Sequence, residues 1–206
     1  MPHRIDQPLD VTQNSATSDF WETRYRSDAT PWDAGRPPPM LSAFLAREPA
    51  ARVLVPGCGS GHDVRAFAEA GWQVTGIDFS PAAVERAQRN AGRFANRIEL
   101  GDFFQLLDRE PRWSAIYERT FLCALPRSRW PDYAGKMAAL LPSGGRLLGF
   151  YFFDDGPKGP PFGLLPGEQE GLLGDAFALI DDAPVPAVQS VPILAGKERW
   201  QVWRRK

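Results

Sequence analysis

From residue 52 onward, apolar residues in this chain fall into short continuous runs separated by stretches of helical period. Residues 52–55 form an apolar, β-branched run closed by Pro56 and glycines, the form of a buried central strand. Residues 62–70 put Val64, Phe67 and Ala68 on one helical face and stop at Gly71. The next strand spans 72–77. Ser80-Pro81 then supplies an N-cap and a first-turn proline for a helix to about residue 93. Strands are predicted at 97–100 and 114–117. A helix follows within 126–141, ended by Pro142-Ser143-Gly144-Gly145, and a long strand spans 146–153. A helix opening over 169–173 and strands at 178–181 and 198–203, read as an antiparallel pair, complete the pattern.

Before residue 52 the reading differs. Residues 1–18 are polar and are read as a flexible arm. Asp19 is a candidate N-cap for a helix carrying Phe20, Trp21 and Tyr25. The four prolines within 30–39 demand a loop, and 40–47 reads as a short helix. No repeat and no domain break is visible, so residues 19–206 are expected to form one domain. Strands alternating with helices imply an α/β fold with a parallel sheet and right-handed crossovers. Such sheets bind ligands beyond the carboxyl ends of their strands. Topology alone therefore nominates 56–61, 78–79, 102–104, 118–120 and 151–155.

Composition narrows the function classes. The 206 residues carry a net charge of -1, which leaves no electrostatic footprint for nucleic acid or an anionic membrane. No apolar run approaches the length of a membrane helix, and the first 18 residues lack the apolar core of a signal peptide. The two cysteines, Cys58 and Cys123, form neither a disulfide framework nor a zinc spacing and fit a reducing cytoplasm. Two histidines, His3 and His62, support neither a metal site nor a triad. A monomer acting on small molecules is expected.

The candidate chemistry centres on Val53-Leu54-Val55-Pro56-Gly57-Cys58-Gly59-Ser60-Gly61-His62-Asp63. A strand, a glycine turn, a helix and a second strand ending in Asp78 place a carboxylate where a ribose would lie. The dinucleotide fingerprint is G-x-G-x-x-G, whose third glycine serves close helix–strand packing over a pyrophosphate. Here Gly57, Gly59 and Gly61 make G-x-G-x-G, and His62 takes the third dinucleotide position. The turn therefore favours S-adenosylmethionine over NAD. Asp78, with Phe79 beside it, is read as accepting from both ribose hydroxyls rather than merely capping the helix at Pro81. After the third strand, Asp102 and Phe103 match an adenine amino group and its ring; a turn acid and a core phenylalanine are the plainer alternative. After the fourth, Glu118 and Arg119 are two charges inside an apolar run, costly if buried unpaired. Either they form an internal ion pair or Arg119 reaches an anion. Trp21, Trp32 and Tyr25 are simple hydrophobic cover or the aromatic face of a sulfonium site. Cys58 is read as a packing residue.

Four segments carry a family resemblance: Thr30-Pro31-Trp32-Asp33-Ala34-Gly35-Arg36-Pro37, Leu54 through Asp63, Tyr117-Glu118-Arg119-Thr120-Phe121-Leu122-Cys123-Ala124-Leu125, and Gly159-Pro160-Pro161-Phe162. With these, the chain resembles the class I S-adenosylmethionine-dependent methyltransferases, and within them the thiopurine S-methyltransferase and plant thiol/halide methyltransferase group. The resemblance implies a Rossmann-like, seven-stranded, mostly parallel sheet with helices on both faces. It implies that Trp21 and Trp32 border the cofactor, that Gly57 approaches its methionine moiety, that Asp78 binds ribose and that Asp102 with Phe103 binds adenine. Arg119 matches an arginine of thiopurine-type members where halide-type members tend to carry tyrosine, which favours a thiol acceptor. The segment 154–165 resembles the family's substrate cover.

The expected reaction is in-line methyl displacement by a thiolate or another soft anion, with Asp33 and Asp154 as candidate proton acceptors. Halide, thiocyanate, sulfide, and tellurium or selenium species are alternative acceptors. A non-catalytic cofactor-binding protein and an NAD-type oxidoreductase are the more distant readings.

Overall fold

The computed structural model describes residues 14–107 and 113–206, and among them the expected alternation is complete. Two helices, α1 (Ser18–Arg26) and α2 (Pro39–Leu45), precede β1 (Arg52–Pro56), α3 (His62–Glu69), β2 (Gln73–Asp78), α4 (Pro81–Ala91) and β3 (Ile98–Leu100). Then come β4 (Ala115–Arg119), α5 (Trp130–Leu140), β5 (Arg146–Phe152), α6 (Glu168–Leu173), β6 (Phe177–Pro184) and β7 (Glu198–Arg205). The seven strands lie in the order β3-β2-β1-β4-β5-β7-β6. Pairings are parallel from β3 through β5, and β7 runs antiparallel to both β5 and β6.

The two-residue period of the strands divides the core between the sheet's faces. Val53, Val55, Tyr117, Leu148 and Phe150 pack with α2, α3 and α4 through Leu41, Phe44, Val64, Phe67 and Val84. Their neighbours Leu54, Ile116, Leu147 and Tyr151 pack on the other face with Tyr133, Met137 and Leu140 of α5 and Leu173 of α6. Helices therefore cover both faces, which is why these strands are apolar almost throughout. No helix among the described residues is long and apolar enough to cross a membrane.

Three local features have physical reasons. Within the expected 126–141 the helix begins at Trp130, after a 3-10 turn at Arg127–Arg129. Pro126 holds Leu125 extended, whereas Pro131 sits inside the first helical turn, where its missing N–H costs nothing. β6 is twice the expected length, and its register shifts between Leu179 and Asp181, leaving Ile180 half exposed. Of the expected arm, residues 1–13 lie outside the described residues. Residues 14–17 form a turn in which Thr17 N donates to Asn14 O, Ser15 is buried, and Ser18 already belongs to α1.

Candidate active site

A cavity of about 660 Å³ opens at the carboxyl ends of β1, β2, β3 and β4. The strand order reverses between β1 and β4, the switch point at which open α/β sheets bind ligands. Gly57, Asp78, Phe79, Asp102, Phe103, Trp21 and Trp32 all line it, so the sheet brings together seven of the residues nominated from sequence.

Gly57 leaves β1 with φ +57°, and a Cβ there would lie 2.5 Å from Cδ2 of Phe121. Only glycine satisfies both constraints, and the backbone edge it leaves bare faces the cavity. Gly59 and Gly61 stand behind it: a Cβ on the first would meet the Tyr25 hydroxyl at 2.6 Å, and one on the second would meet Ala87 of α4 at 2.8 Å. The close helix–sheet approach that a dinucleotide fold takes from its third turn glycine comes here from β2. A Cβ on Gly76 would meet Cγ2 of Val64 at 2.7 Å. His62 is thus free to open α3. Cys58 packs beside Gly76, and burial pushes its thiol well above the ordinary range, as suits a packing residue.

Asp78 holds the turn and the next helix together. Its Oδ2 accepts from Gly59 N and its Oδ1 from Ser80 N, both at 3.0 Å. Burial outweighs these donors and raises its pKa to about 6. A carboxylate has roughly four lone-pair directions, so acceptor capacity remains for a ligand. Glu22 of α1 completes the junction. Its Oε2 accepts from Ser80 Oγ at 2.7 Å and from Ala82 N at 2.8 Å, its Oε1 pairs with Arg26 at 2.6 Å, and Ser18 Oγ donates to Phe79 O at 2.8 Å. The first helix is therefore fastened across the start of α4.

Aromatic rings form two walls. Trp21 and Trp32 meet edge to face at 5.3 Å, and Trp32 Nε1 donates to the Tyr25 hydroxyl at 3.3 Å. Phe103, Phe104 and Phe121 form the second wall, with Phe103 5.2 Å from each of the other two. Asp102 lies beside them, its Oδ1 accepting from Phe104 N at 2.9 Å.

The charged candidates take other places. Glu118 and Arg119 do not pair with each other. Glu118 is 1% exposed beneath the cavity, its Oε2 accepting from Leu122 N at 2.7 Å and from the Tyr133 hydroxyl at 3.4 Å. Burial raises its pKa to about 8. It fixes the turn through Leu122–Ala124, whose neighbours Thr120 and Phe121 line the cavity. Thr120 sits at φ +57°, a rare conformation for a β-branched residue and a mark of local strain. Arg119 donates to both oxygens of Asp63 at 3.4 Å, and the Tyr117 hydroxyl donates to Asp63 at 3.1 Å. Asp33 accepts from Ser60 Oγ and, at 2.7 Å, from Gly35 N, with His62 Nε2 at 3.4 Å. Burial alone would raise its pKa, but the contacts with His62, Ser60 and Gly35 hold it well below the usual carboxylate range. Asp154 accepts from Lys197 Nζ at 2.9 Å and its N donates to Leu164 O, tying down the start of the 154–165 segment. Among the described residues, Asp33, Asp154, Glu118 and Arg119 lie outside the cavity lining.

Sequence reasoning missed part of the lining. Phe20 and Arg24 come from the same face of α1 as Trp21 and Tyr25, a stripe readable from helical spacing. Phe121, Cys123, Ile193 and Leu194 complete the apolar end, beside Phe104 from the nominated 102–104 and Pro160 and Pro161 from the expected cover at 154–165. Phe121 follows the nominated 118–120 directly, but nothing local announces that 193–194 returns to the site.

These residues fit S-adenosylmethionine: a bare glycine backbone edge, a buried carboxylate with open lone pairs, an acid beside a phenylalanine wall and a tryptophan pair meet in one cavity of ligand size. Comparison with known proteins agrees. The chain is 35% identical to the probable thiol methyltransferase 2 of Arabidopsis thaliana over 84% of its length and 80% of that protein's. It is 31% identical to thiocyanate methyltransferase 1 of Brassica oleracea (90% and 84% covered) and 32% identical to the thiopurine S-methyltransferase of Pseudomonas fluorescens (79% and 82% covered). Its fold is similar to that of the Burkholderia thailandensis 1,6-didemethyltoxoflavin-N1-methyltransferase solved with S-adenosylhomocysteine, at a TM-score of 0.73 and 23% identity over 98% of this chain and 93% of that one. The model of the family described as thiopurine S-methyltransferase matches residues 16–206, from the turn before α1 to the end of the chain. The chain therefore belongs to the thiopurine S-methyltransferase family and is an S-adenosylmethionine-dependent methyltransferase.

Proposed function

We propose that the enzyme methylates a small thiol or thiopurine-like acceptor entering from the apolar end of the cavity. The observation that carries this reading is the lining itself: cofactor-type groups at the strand ends continue into Leu125, Pro160, Pro161, Ile193 and Leu194. When bound, S-adenosylmethionine supplies a methyl group on a sulfonium sulfur. Asp78 receives the ribose hydroxyls, with Phe79 beside it. Asp102 and Phe103 receive the adenine, Gly57 the methionine moiety, and Trp21 with Trp32 the sulfonium side. Gly59 and Gly61 shape the turn.

The protein's main chemical contributions are orientation and exclusion of water. Alignment of reacting groups alone is worth about 7–11 kcal/mol. A thiolate and a sulfonium lose charge as they react, so a dry aromatic enclosure favours the transition state. An ordinary thiol has a pKa of about 8.5 and is already partly ionised near neutrality. No strong base is required, and we assign Asp33 and Asp154 to fastening loops, Glu118 to shaping the turn after β4, and Arg119 to bracing β4 against α3 through Asp63. The enzyme is read as a monomer acting on small molecules in the cytoplasm; two cysteines outside any disulfide support that compartment.

Thiocyanate is the second acceptor worth testing, because relatives at 31% and 30% identity are named thiocyanate methyltransferases. Production of S-adenosylhomocysteine would be followed with thiophenol, a thiopurine, thiocyanate and iodide as acceptors. Turnover with the organic thiols above that with the inorganic anions is the expected result. The reverse order would replace the thiol reading with the thiocyanate one.

A further inference from the structure

Among the described residues the cavity lining holds two acids and two arginines, and their partners are unequal. Asp78 and Asp102 accept from backbone N–H groups. Arg129 lies 2.9 Å from Asp132 and 4.1 Å from the Phe104 ring. Arg119, the arginine that sequence pointed to, is matched by Asp63. Arg24 differs from all of these. Its guanidinium lies 3.4 Å from the Phe20 ring centroid, and its Nη1 donates to Phe20 O at 3.0 Å. Among the described residues it makes no ion pair, and the acids around it are committed elsewhere: Glu22 to Arg26 and to the start of α4, Asp28 to Arg86. Asp19 is exposed and five positions away, off the face that neighbours share on a helix. A guanidinium carries five N–H donors, so most of its hydrogen-bonding capacity is unused among the described residues. Partial burial lowers its pKa.

We propose that Arg24 is the anion-holding residue of the cavity, receiving a carboxylate or comparable anionic group of a bound small molecule. The inference rests on the methyl-transfer reading. The face that presents Arg24 also presents Phe20, Trp21 and Tyr25 to the cavity, so the charge sits on a rigid, apolar-walled helix fastened by Glu22. In that setting a guanidinium–carboxylate contact is stronger than one in open solvent. Two bound molecules can bring the anion: the cofactor, through its methionine carboxylate, or an acidic acceptor.

The test compares wild type with Arg24→Gln and Arg24→Lys. Titrations use S-adenosylhomocysteine and 5′-methylthioadenosine, which lacks the amino-acid end. Turnover uses 2-mercaptobenzoate and thiophenol, which differ by a carboxylate. If the anion is the cofactor's, Arg24→Gln weakens S-adenosylhomocysteine about tenfold or more and leaves 5′-methylthioadenosine unchanged. If it is the acceptor's, cofactor affinity holds while KM rises for 2-mercaptobenzoate and not for thiophenol. Arg24→Lys recovers part of either loss and is read in the same way should the glutamine variant not fold. Equal effects on both members of each pair, or no effect, overturn the role of Arg24 alone. A folded wild type that binds no S-adenosylhomocysteine overturns the methyl-transfer reading and this inference with it.

Discussion

The carboxylate of Asp78, at the end of β2, accepts a hydrogen bond at 3.0 Å from the backbone N–H of Gly59 in the turn after β1. One side chain thereby sets the spacing of the two strand ends that open onto the cavity.

Replacing Asp78 by alanine removes the carboxylate assigned to the ribose and strands the N–H groups of Gly59 and Ser80. Hydrogen bonds to a charged group are worth about 1.5–3 kcal/mol each, so S-adenosylhomocysteine affinity should fall by about 100-fold or more. Asp78→Asn keeps one acceptor oxygen and should fall less. Unchanged affinity in a titration of the alanine variant would remove Asp78 from the site.

Gly57→Ala places a methyl group 2.5 Å from the Phe121 ring at φ +57°. Left-handed backbone costs a non-glycine residue about 1–2 kcal/mol, and displacement of the ring adds to that. A lower melting temperature and more than tenfold weaker cofactor binding are expected. A variant with wild-type affinity would show that the ring moves freely and that the bare glycine edge is not used.

Asp33 is bonded to Ser60 and Gly35, with His62 close by, and its pKa is held well below the usual range. A group so weakly basic has almost no proton affinity at neutral pH. Asp33→Asn should lower kcat/KM through loosening of the 30–37 loop and leave the shape of its pH profile unchanged. Loss of the acidic limb of that profile would restore Asp33 as the base.

Glu118 and Asp78 both have folded-state pKa values above those of free carboxylates, at about 8 and about 6, with burial as the main cause. The folded chain therefore holds these protons to higher pH than the unfolded chain does. Stability falls as pH rises from the ordinary carboxylate range through about 6 for Asp78 and about 8 for Glu118. Denaturant titrations should show wild type losing stability between pH 6 and pH 8.5, and the isosteric Glu118→Gln losing less. An equal loss in both would place the titration elsewhere.

Strand ends were legible because a doubly covered parallel sheet writes itself as apolar runs, and topology then marks the residues after each run. Gly57, Asp78, Phe79, Asp102 and Phe103 were found in this way. The ion partners were not legible: Glu118 and Arg119 are adjacent in sequence but point to opposite faces of β4, as successive strand residues must, so each meets a different partner. Glu22 went unread because its partners Ser80 and Ala82 lie about 60 positions away. Ile193 and Leu194 reach the cavity only through the crossing from β6 to β7. Arg24 was overlooked because one arginine on a helix is ordinary, and it is set apart only by making no ion pair among the described residues.

The most direct measurement is calorimetric titration of the folded protein with S-adenosylhomocysteine, with NAD as the comparison ligand. Tight one-to-one binding of the first and none of the second is the predicted result. Binding of NAD, or of neither, would contradict the assignment of the cavity to S-adenosylmethionine.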